Sequence, residues 1–163
     1  MKSFSKLILL LTVVLMFASC NNKEKLFEKR ITFKNNNWNR FDILKFDVPV
    51  DDTIAQYDIY ADLRHASFYP FENLLINFSI AMPSSEERVQ NHNFKLRNQD
   101  GSFLANGMGD IWDIAFPMMT NFTFPQKGNY HIEIENLMTK YDTPGMMEFG
   151  LIVIRSDSKH KPK

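Results

Sequence analysis

The side chains with the right chemistry for catalysis or metal binding are few in this sequence, and they are poorly spaced for either role. The four histidines lie far apart, with no pair at the separation typical of zinc ligands: His65, His92, His131 and His160. The adjacent acids of Asp51-Asp52 and Glu86-Glu87 face opposite sides of a strand, or face solvent in a loop. The sequence has no Gly-x-Ser-x-Gly nucleophile segment. We therefore expect no catalytic residue, no metal site and no cofactor, which favours a protein that is not an enzyme.

Asp110 and Asp113 offer carboxylate oxygens, the ligands that calcium prefers. They follow Gly107 and Gly109, which suit a turn with a positive φ angle. Two carboxylates are few for a calcium site, so we expect them to cap the turn, and calcium binding stays an open alternative.

The one cysteine, Cys20, has the clearest chemistry of any residue in the chain. It follows the small residues Ala18 and Ser19 at the end of an apolar run from Leu7 to Phe17, and the run itself follows a basic start. This pattern is typical of a secretory signal peptide. The apolar run has about 11 residues, whereas a membrane-spanning helix needs about 20. A small pair directly before a cysteine resembles a bacterial lipobox, although Phe17 replaces the usual Leu, and an ordinary signal peptide is the alternative. We expect cleavage before Cys20 and lipidation of its sulfur.

Removal of the leader also removes Lys2 and Lys6 from a chain with 19 basic and 19 acidic residues, so a small acidic excess remains. That balance gives no argument for nucleic acid as a partner. A body without cysteine has no disulfide framework, so packing alone must hold it. We expect a signal peptide at 1–19, an acylated tether at 20–25, one domain at 26–155 and a polar, frayed tail at 156–163.

Apolar residues alternate with polar ones in several short segments, which is the period of a half-buried strand. The segments are 44–50, 57–64, 74–82 and 130–135, and a further strand is expected at 26–33. Met146 to Ile154 is apolar on both faces, which suits a central strand. Pro49 places its strand at the edge of a sheet, or lies near the end of the strand. Pro117 is expected to end the strand that starts at Ile111, and 86–93 is expected to be an exposed loop. The pattern predicts an all-β fold, an antiparallel β-sandwich or jelly-roll-like single domain.

The block from Arg64 to Asn73 is the best candidate surface for contact with a partner. Arg64, His65, Tyr69 and Asn73 fall at the end of one strand and in the loop that follows, and Tyr and Arg are frequent anchors of protein interfaces. Trp112 is a further candidate platform. In the alternative interpretation Phe68, Tyr69 and Phe71 close the end of the sandwich, Arg64 pairs with an acid, and Trp112 belongs to the core.

Four parts of the chain together resemble the gliding motility lipoprotein H family (GldH) of the Bacteroidota. They are Cys20 with its lipobox, YDIYADLRHASFYPFENLLINFSI at 57–80, LANGMGDIWD at 104–113 and GNYHIEIENLM at 128–138. The resemblance covers nearly the whole chain. It implies a protein required for gliding over surfaces, acting in or beside the machinery that also serves type IX secretion. It implies no catalytic residue.

The function expected from these patterns is a membrane-anchored, non-enzymatic subunit or accessory factor that binds other envelope proteins of this machinery. A glycan- or peptidoglycan-binding lipoprotein is the alternative, and its aromatic platform would come from Trp38, Tyr60, Tyr69 and Trp112. Asn21 after Cys20 favours the outer membrane. Lys23-Glu24 resembles the charged signals that send some lipoproteins of this phylum to the cell surface, but a single acid makes a weak signal, so we expect the protein to face the periplasm. Asp52-Thr53-Ile54 also fits an O-glycosylation pattern of these bacteria, which would modify Thr53.

Overall fold

The computed structural model describes residues 24–159 and 161–162. The predicted signal peptide and Cys20, the predicted lipidation site, therefore lie outside the described residues. Within the described part, no helix is long and apolar enough to cross a membrane.

The described chain folds into antiparallel strands arranged in two main sheets and one small one. The strands are β1 (Lys25–Thr32), β2 (Asn37–Asn39), β3 (Leu44–Val50), β4 (Gln56–Ala66), β5 (Asn73–Ala81), β6 (Glu87–Lys95), β7 (Asn106–Met108), β8 (Ile111–Thr123), β9 (Gly128–Asn136), β10 (Asp142–Pro144) and β11 (Met146–Arg155). One sheet has five strands in the order β1-β11-β4-β8-β7, the second has four in the order β3-β9-β5-β6, and β10 pairs with β2. This architecture confirms the predicted all-β sandwich.

The core lies between the two main sheets and consists of the side chains that alternate inward along each strand. On β3, for example, Leu44, Phe46, Val48 and Val50 are buried while the residues between them are exposed. Each large apolar side chain that is fully buried contributes about 1.5–3 kcal/mol relative to an exposed one. Pro49 lies on β3 at the edge of its sheet, as predicted, because an edge strand needs no hydrogen bond from that position.

The last strand, β11, lies between β1 and β4, which confirms the central position predicted from its apolar residues. Its inner face joins the main core. On the other face Ile152 and Ile154 pack with Tyr60 and the partly buried Ala115 in a second small apolar cluster. Both faces are therefore covered over much of the strand.

The prediction of an exposed loop at 86–93 was wrong, because this segment forms most of β6. The strand pairs only with β5 and is the edge of its sheet. Most of its side chains are exposed, and Phe94 is the buried exception. An edge strand with little apolar burial has no alternating pattern, so periodicity does not detect it. Backbone pairing with β5 defines it instead, helped by a 2.9 Å hydrogen bond from Asn77 Nδ2 to Asn91 Oδ1.

The expected end of β8 at Pro117 was also wrong, since the strand continues to Thr123. Pro117 pairs with Tyr60 beside an irregularity in register, where Ile59 pairs with Met119. A bulge leaves a backbone position without its ladder hydrogen bond, and proline is tolerated next to such a position.

The tail after Arg155 packs against the sandwich instead of fraying along its described length. Ser156 Oγ donates to Asp58 Oδ1 at 2.6 Å, and Lys161 Nζ donates to Asp58 Oδ2 at 2.7 Å. Asp58 is almost fully buried at 1% exposure. The buried carboxylate needs these donors, so the polar tail has a structural partner that its sequence does not show.

We call the two ends of the sandwich the near end and the far end, according to the direction of β1 and β4. The near end is where β1 begins, with Lys25 opposite Ile154 and Gln56 opposite Thr123. The far end is where β4 finishes, with Ala66 opposite Ile111. The small sheet of β2 and β10 belongs to the far end, because it follows the last residues of β1 and precedes β11.

Candidate functional site

Arg64 leaves β4 on the outer face of the five-stranded sheet and binds an acid on the neighbouring strand. Its Nε donates to Asp113 Oδ1 at 2.8 Å and its Nη2 donates to Asp113 Oδ2 at 3.0 Å. The two residues are direct cross-strand partners. A second acid, Glu148 on β11, lies 3.6 Å from Nη1. The hydrogen bond to Asp113 raises the pKa of Arg64, so the guanidinium stays charged and is held by two fixed carboxylates.

A second ion pair lies on the same face of the sheet and includes Asp62, two residues before Arg64 on β4. Arg30 on β1 reaches across β11 to Asp62 on β4. The strand between them carries Gly150 at this row, and a Cβ there would lie 3.1 Å from Arg30 Cγ and 3.2 Å from Asp62 Cβ. The absence of a Cβ at Gly150 therefore leaves room for the Arg30 side chain to cross β11. Burial raises the pKa of Asp62, and Arg30 acts in the opposite direction.

His65 is fully buried under an aromatic cover that also holds Trp112. The ring centroids of His65 and Phe103 lie 4.6 Å apart, and those of Phe103 and Trp112 lie 5.1 Å apart. Arg97 lies on Phe103, with its guanidinium carbon 3.9 Å from the ring centroid. His65 Nδ1 lies 3.2 Å from the carbonyl oxygen of Ala66 and donates to it. Burial lowers the pKa of His65, so the buried ring is kept neutral.

Tyr69 closes the far end of the core. Its side chain has no exposed surface, and its hydroxyl donates to the carbonyl oxygen of Asn73 at 2.9 Å. Arg97 Nη2 donates to the carbonyl oxygen of Tyr69 at 2.7 Å. These two hydrogen bonds of Tyr69 hold the loop between β4 and β5 in place. Burial raises the pKa of Tyr69 well above its ordinary value. This is a structural role of the kind that the alternative interpretation expected, whereas Phe68 in the same loop is 61% exposed.

The five predicted contact residues thus meet at the far end, but they present little common surface. His65 and Tyr69 are buried, while Arg64, Asn73 and Trp112 are half-buried. Contact of these residues with a partner stays a prediction, and only the half-buried three have side-chain surface for it.

The carboxylates considered for calcium are used within the protein. Asp110 Oδ1 accepts a hydrogen bond from Ser67 Oγ at 2.9 Å, and Asp113 holds Arg64. Among residues 24–159 and 161–162, no group of three or more His, Cys, Asp or Glu side chains is placed to hold a metal ion.

The aromatic residues considered for glycan binding do not form an exposed row. Trp38 and Tyr69 are fully buried and Tyr60 is 7% exposed, which leaves Trp112 as the partly exposed member. Thr53 lies half-buried in the loop at the near end, where Asp52 Oδ1 accepts from the backbone N–H of Ile54 at 2.9 Å.

Sequence reasoning missed the most exposed aromatic pair of the far end. Phe41 is 73% exposed and Tyr141 is 60% exposed, and their ring centroids lie 5.7 Å apart. The only local signal is an aromatic residue in a polar turn, as in Asn39-Arg40-Phe41-Asp42. Their proximity depends on the pairing of β2 with β10.

Comparison with known proteins identifies the family to which this chain belongs. The family model for the GldH lipoprotein matches residues 25–153, which begin with β1 and stop just before the end of β11. The chain belongs to the GldH lipoprotein family. This membership confirms the resemblance drawn from the sequence motifs.

Two relatives of the GldH family were found. The gliding motility lipoprotein GldH of Flavobacterium johnsoniae is 31% identical over 128 residues, which cover 78% of this chain and 77% of the relative. A gliding motility lipoprotein GldH homolog of Christiangramia forsetii is 22% identical over 163 residues, covering 96% of this chain and 98% of the relative. A solved structure of infectious bursal disease virus Gx strain overlaps 84% of this chain and 31% of the viral chain, with 9% identity and a TM-score of 0.29. That likeness is too small to inform the fold or the function.

Proposed function

We propose that this chain is a lipid-anchored, non-enzymatic subunit or accessory factor of the bacterial gliding machinery, which also serves type IX secretion. It acts through contacts with other proteins of the cell envelope. Membership of the GldH family and the names of both relatives support the link to gliding.

The observation that carries the non-enzymatic part is the use of the reactive side chains. Arg64 donates hydrogen bonds to both carboxylate oxygens of Asp113. His65 is buried as a neutral ring, and the Tyr69 hydroxyl donates to a backbone carbonyl oxygen. A catalytic group has to reach a reacting atom with a free donor or acceptor. In this cluster the donors are directed at neighbouring parts of the same fold, and His65 Nε2, which has no hydrogen-bond partner among the described residues, is buried away from solvent.

The anchor part of the proposal rests on the position of Cys20 relative to the first strand. Lys25 begins β1, only five residues after Cys20. One acyl chain gives marginal membrane attachment, whereas two or more make it durable. We propose that these chains hold the sandwich at the outer membrane, facing the periplasm.

Replacement of Cys20 by Ala in the full-length chain tests the anchor in the native cell. We expect the variant to remain uncleaved or to leave the outer-membrane fraction, and we expect spreading on a surface to be lost. Gel mobility, density fractionation of the membranes and colony spreading measure these three properties. Protease treatment of intact cells tests the orientation, since a wild-type protein that faces the periplasm should be protected. Ser19→Ala is the matched control because it keeps a small residue before the cysteine, so it should retain attachment and motility. Full motility with a Cys20→Ala protein that is absent from the membranes would contradict the proposal.

A further inference from the structure

Large exposed apolar side chains are concentrated in the half of the sandwich that contains the far end. Of the ten such side chains in the described part of the chain, only Ile54 and Val89 belong to the near half. A protein that is soluble around its anchor seldom exposes apolar side chains in one concentrated area unless that area binds something.

Within this half, the adjacent rings of Phe41 and Tyr141 each line one of two grooves. Arg40, Phe41, Ile43 and Leu137 line one groove of about 200 Å³. Pro70, Phe71, Tyr141 and Pro144 line the larger one, of about 520 Å³. We call these eight residues the far-end patch. Aromatic side chains, proline rings and shallow grooves suit an extended peptide segment, whose alternate side chains can enter the two grooves.

The far-end patch is held in place before any partner arrives. Trp38 Nε1 donates to the carbonyl oxygen of Asp42 at 2.9 Å, and the N–H of Arg40 donates to the carbonyl oxygen of Tyr141 at 2.8 Å. On the other side, the N–H of Gly145 donates to the carbonyl oxygen of Asn36 at 2.8 Å. A preformed surface loses less conformational entropy on binding than a mobile loop does.

The position of the anchor argues against the bilayer as the occupant. The eleven residues of β4 run from the near end to the far end, which is about 33 Å at 3.3 Å per step. The five peptide units from Cys20 to Lys25 reach at most about 18 Å when fully extended. The chain enters at the near end, so the far-end patch lies on the side away from the attachment point.

The charges around the far-end patch also give no attraction to an anionic lipid surface. Arg40 and Lys140 are accompanied by the acids Asp42 and Asp142, and a third acid, the half-buried Glu135, lines the smaller groove. Basic side chains do not outnumber acidic ones, so apolar contact has to supply the affinity.

We infer that the far-end patch binds an extended apolar segment of a second envelope protein, on the side of the sandwich away from the membrane that holds the anchor. This inference rests on the proposed function and adds the surface and the kind of partner. Phe41 and Tyr141 are the central anchors of that contact.

A photo-crosslinking amino acid in place of Phe41 in the full-length lipidated protein, expressed in the native cell, provides the first test. The same crosslinker in place of Ile54, which is 91% exposed at the near end, is the matched control. We expect position 41 to give an adduct with one other protein, identified by mass spectrometry with its crosslinked peptide, and position 54 to lack that adduct. Adducts only with lipid or only with a second copy of this chain would overturn the inference.

A second test uses the partner identified in that way. The Phe41→Asn, Tyr141→Asn double variant should co-purify about tenfold less of it than the wild type, since central aromatic anchors dominate interface affinity. The Ile54→Asn, Val89→Asn double variant should co-purify the normal amount. Unchanged capture by the Phe41, Tyr141 variant would overturn the assigned surface while leaving the proposed function standing. If the wild type itself reproducibly captures no envelope protein, the proposed function fails as well.

Discussion

At the level of single residues, the most consequential side chain outside the core is Asp62. Its side chain is 7% exposed, and it depends on Arg30, whose side chain is 35% exposed. A buried carboxylate without a cation costs much more than a surface ion pair contributes. Gly150 leaves space for Arg30 to cross β11, because a Cβ at this position would be in tight contact with Arg30 Cγ.

We expect Arg30→Ala to lower the free energy of unfolding by about 2–4 kcal/mol, because Asp62 would stay buried without its partner. Urea denaturation followed by circular dichroism measures the change. Lys45→Ala is the matched control, since Lys45 and Glu133 form an exposed pair at 2.8 Å and such pairs contribute little. The double variant Arg30→Ala, Asp62→Leu should recover much of the loss. Equal effects of Arg30→Ala and Lys45→Ala would contradict this account.

Residue types in the sequence indicated which side chains carry charge, and the structure decided which of them meet. Arg64 was expected either to contact a partner or to pair with an acid. The pairing with Asp113 follows from the register of β4 against β8. That register joins residues distant in sequence, so no local pattern specifies it.

At the level of elements, the junction between β10 and β11 depends on one glycine. Gly145 has a φ of +83°, and a Cβ at this position would lie 2.7 Å from Tyr69 Cα and 2.9 Å from Tyr69 N. The neighbour is backbone and cannot move aside as a flexible side chain could. The close approach joins the Tyr69 loop to the small sheet that carries part of the far-end patch.

Gly145→Ala should therefore destabilise the protein by about 2–4 kcal/mol, the sum of a strained left-handed backbone and a backbone collision. Gly101→Ala isolates the first contribution, because Gly101 has a φ of +84° and a Cβ at this position would have no neighbour within 4 Å. That variant should cost about 1–2 kcal/mol. Thermal unfolding of both variants measures the difference. Equal losses of stability would show that the contact with Tyr69 is unimportant.

Strands with one buried face were predictable from the sequence, and the edge strand β6 was not. The inward residues of β3 and β5 alternate because a strand turns successive side chains to opposite faces. β6 exposes most of its side chains, so its polar sequence resembles that of a loop. The strands β2, β7 and β10 have three residues each, too few to show a period.

At the level of the whole molecule, stability should respond to pH through the buried His65 and the half-buried His92. Burial lowers the pKa of His65 and of His92. The unfolded chain takes up protons as the pH falls through about 6.5, while the folded protein takes them up only at lower pH. Each histidine therefore lowers the free energy of unfolding as the pH falls below about 6.5.

We expect the double variant His65→Phe, His92→Phe to lose less stability than the wild type between pH 7.5 and pH 5.5. Phenylalanine keeps an aromatic ring against the neighbouring rings, so His92 can be replaced without emptying its stack on Phe94. Urea denaturation at pH 7.5 and at pH 5.5 measures how much the free energy of unfolding changes between the two pH values in the wild type and in the variant. Asp62 acts in the opposite sense, because burial raises its pKa, so the comparison is between the variant and the wild type. Identical changes would contradict the role of the histidines.

The sequence by itself determined the family motifs and the all-β class, and it carries the prediction of a lipidated Cys20, because each depends on residue order over a short span. The tertiary structure decided that Tyr69 and His65 are buried, that Arg64 is held by Asp113, and that the polar tail covers Asp58. It also brought Phe41 and Tyr141 together at the far end. The physical reason is that sheet order and register join residues that are distant along the chain, and burial depends on those neighbours, whereas alternation depends only on the strand itself.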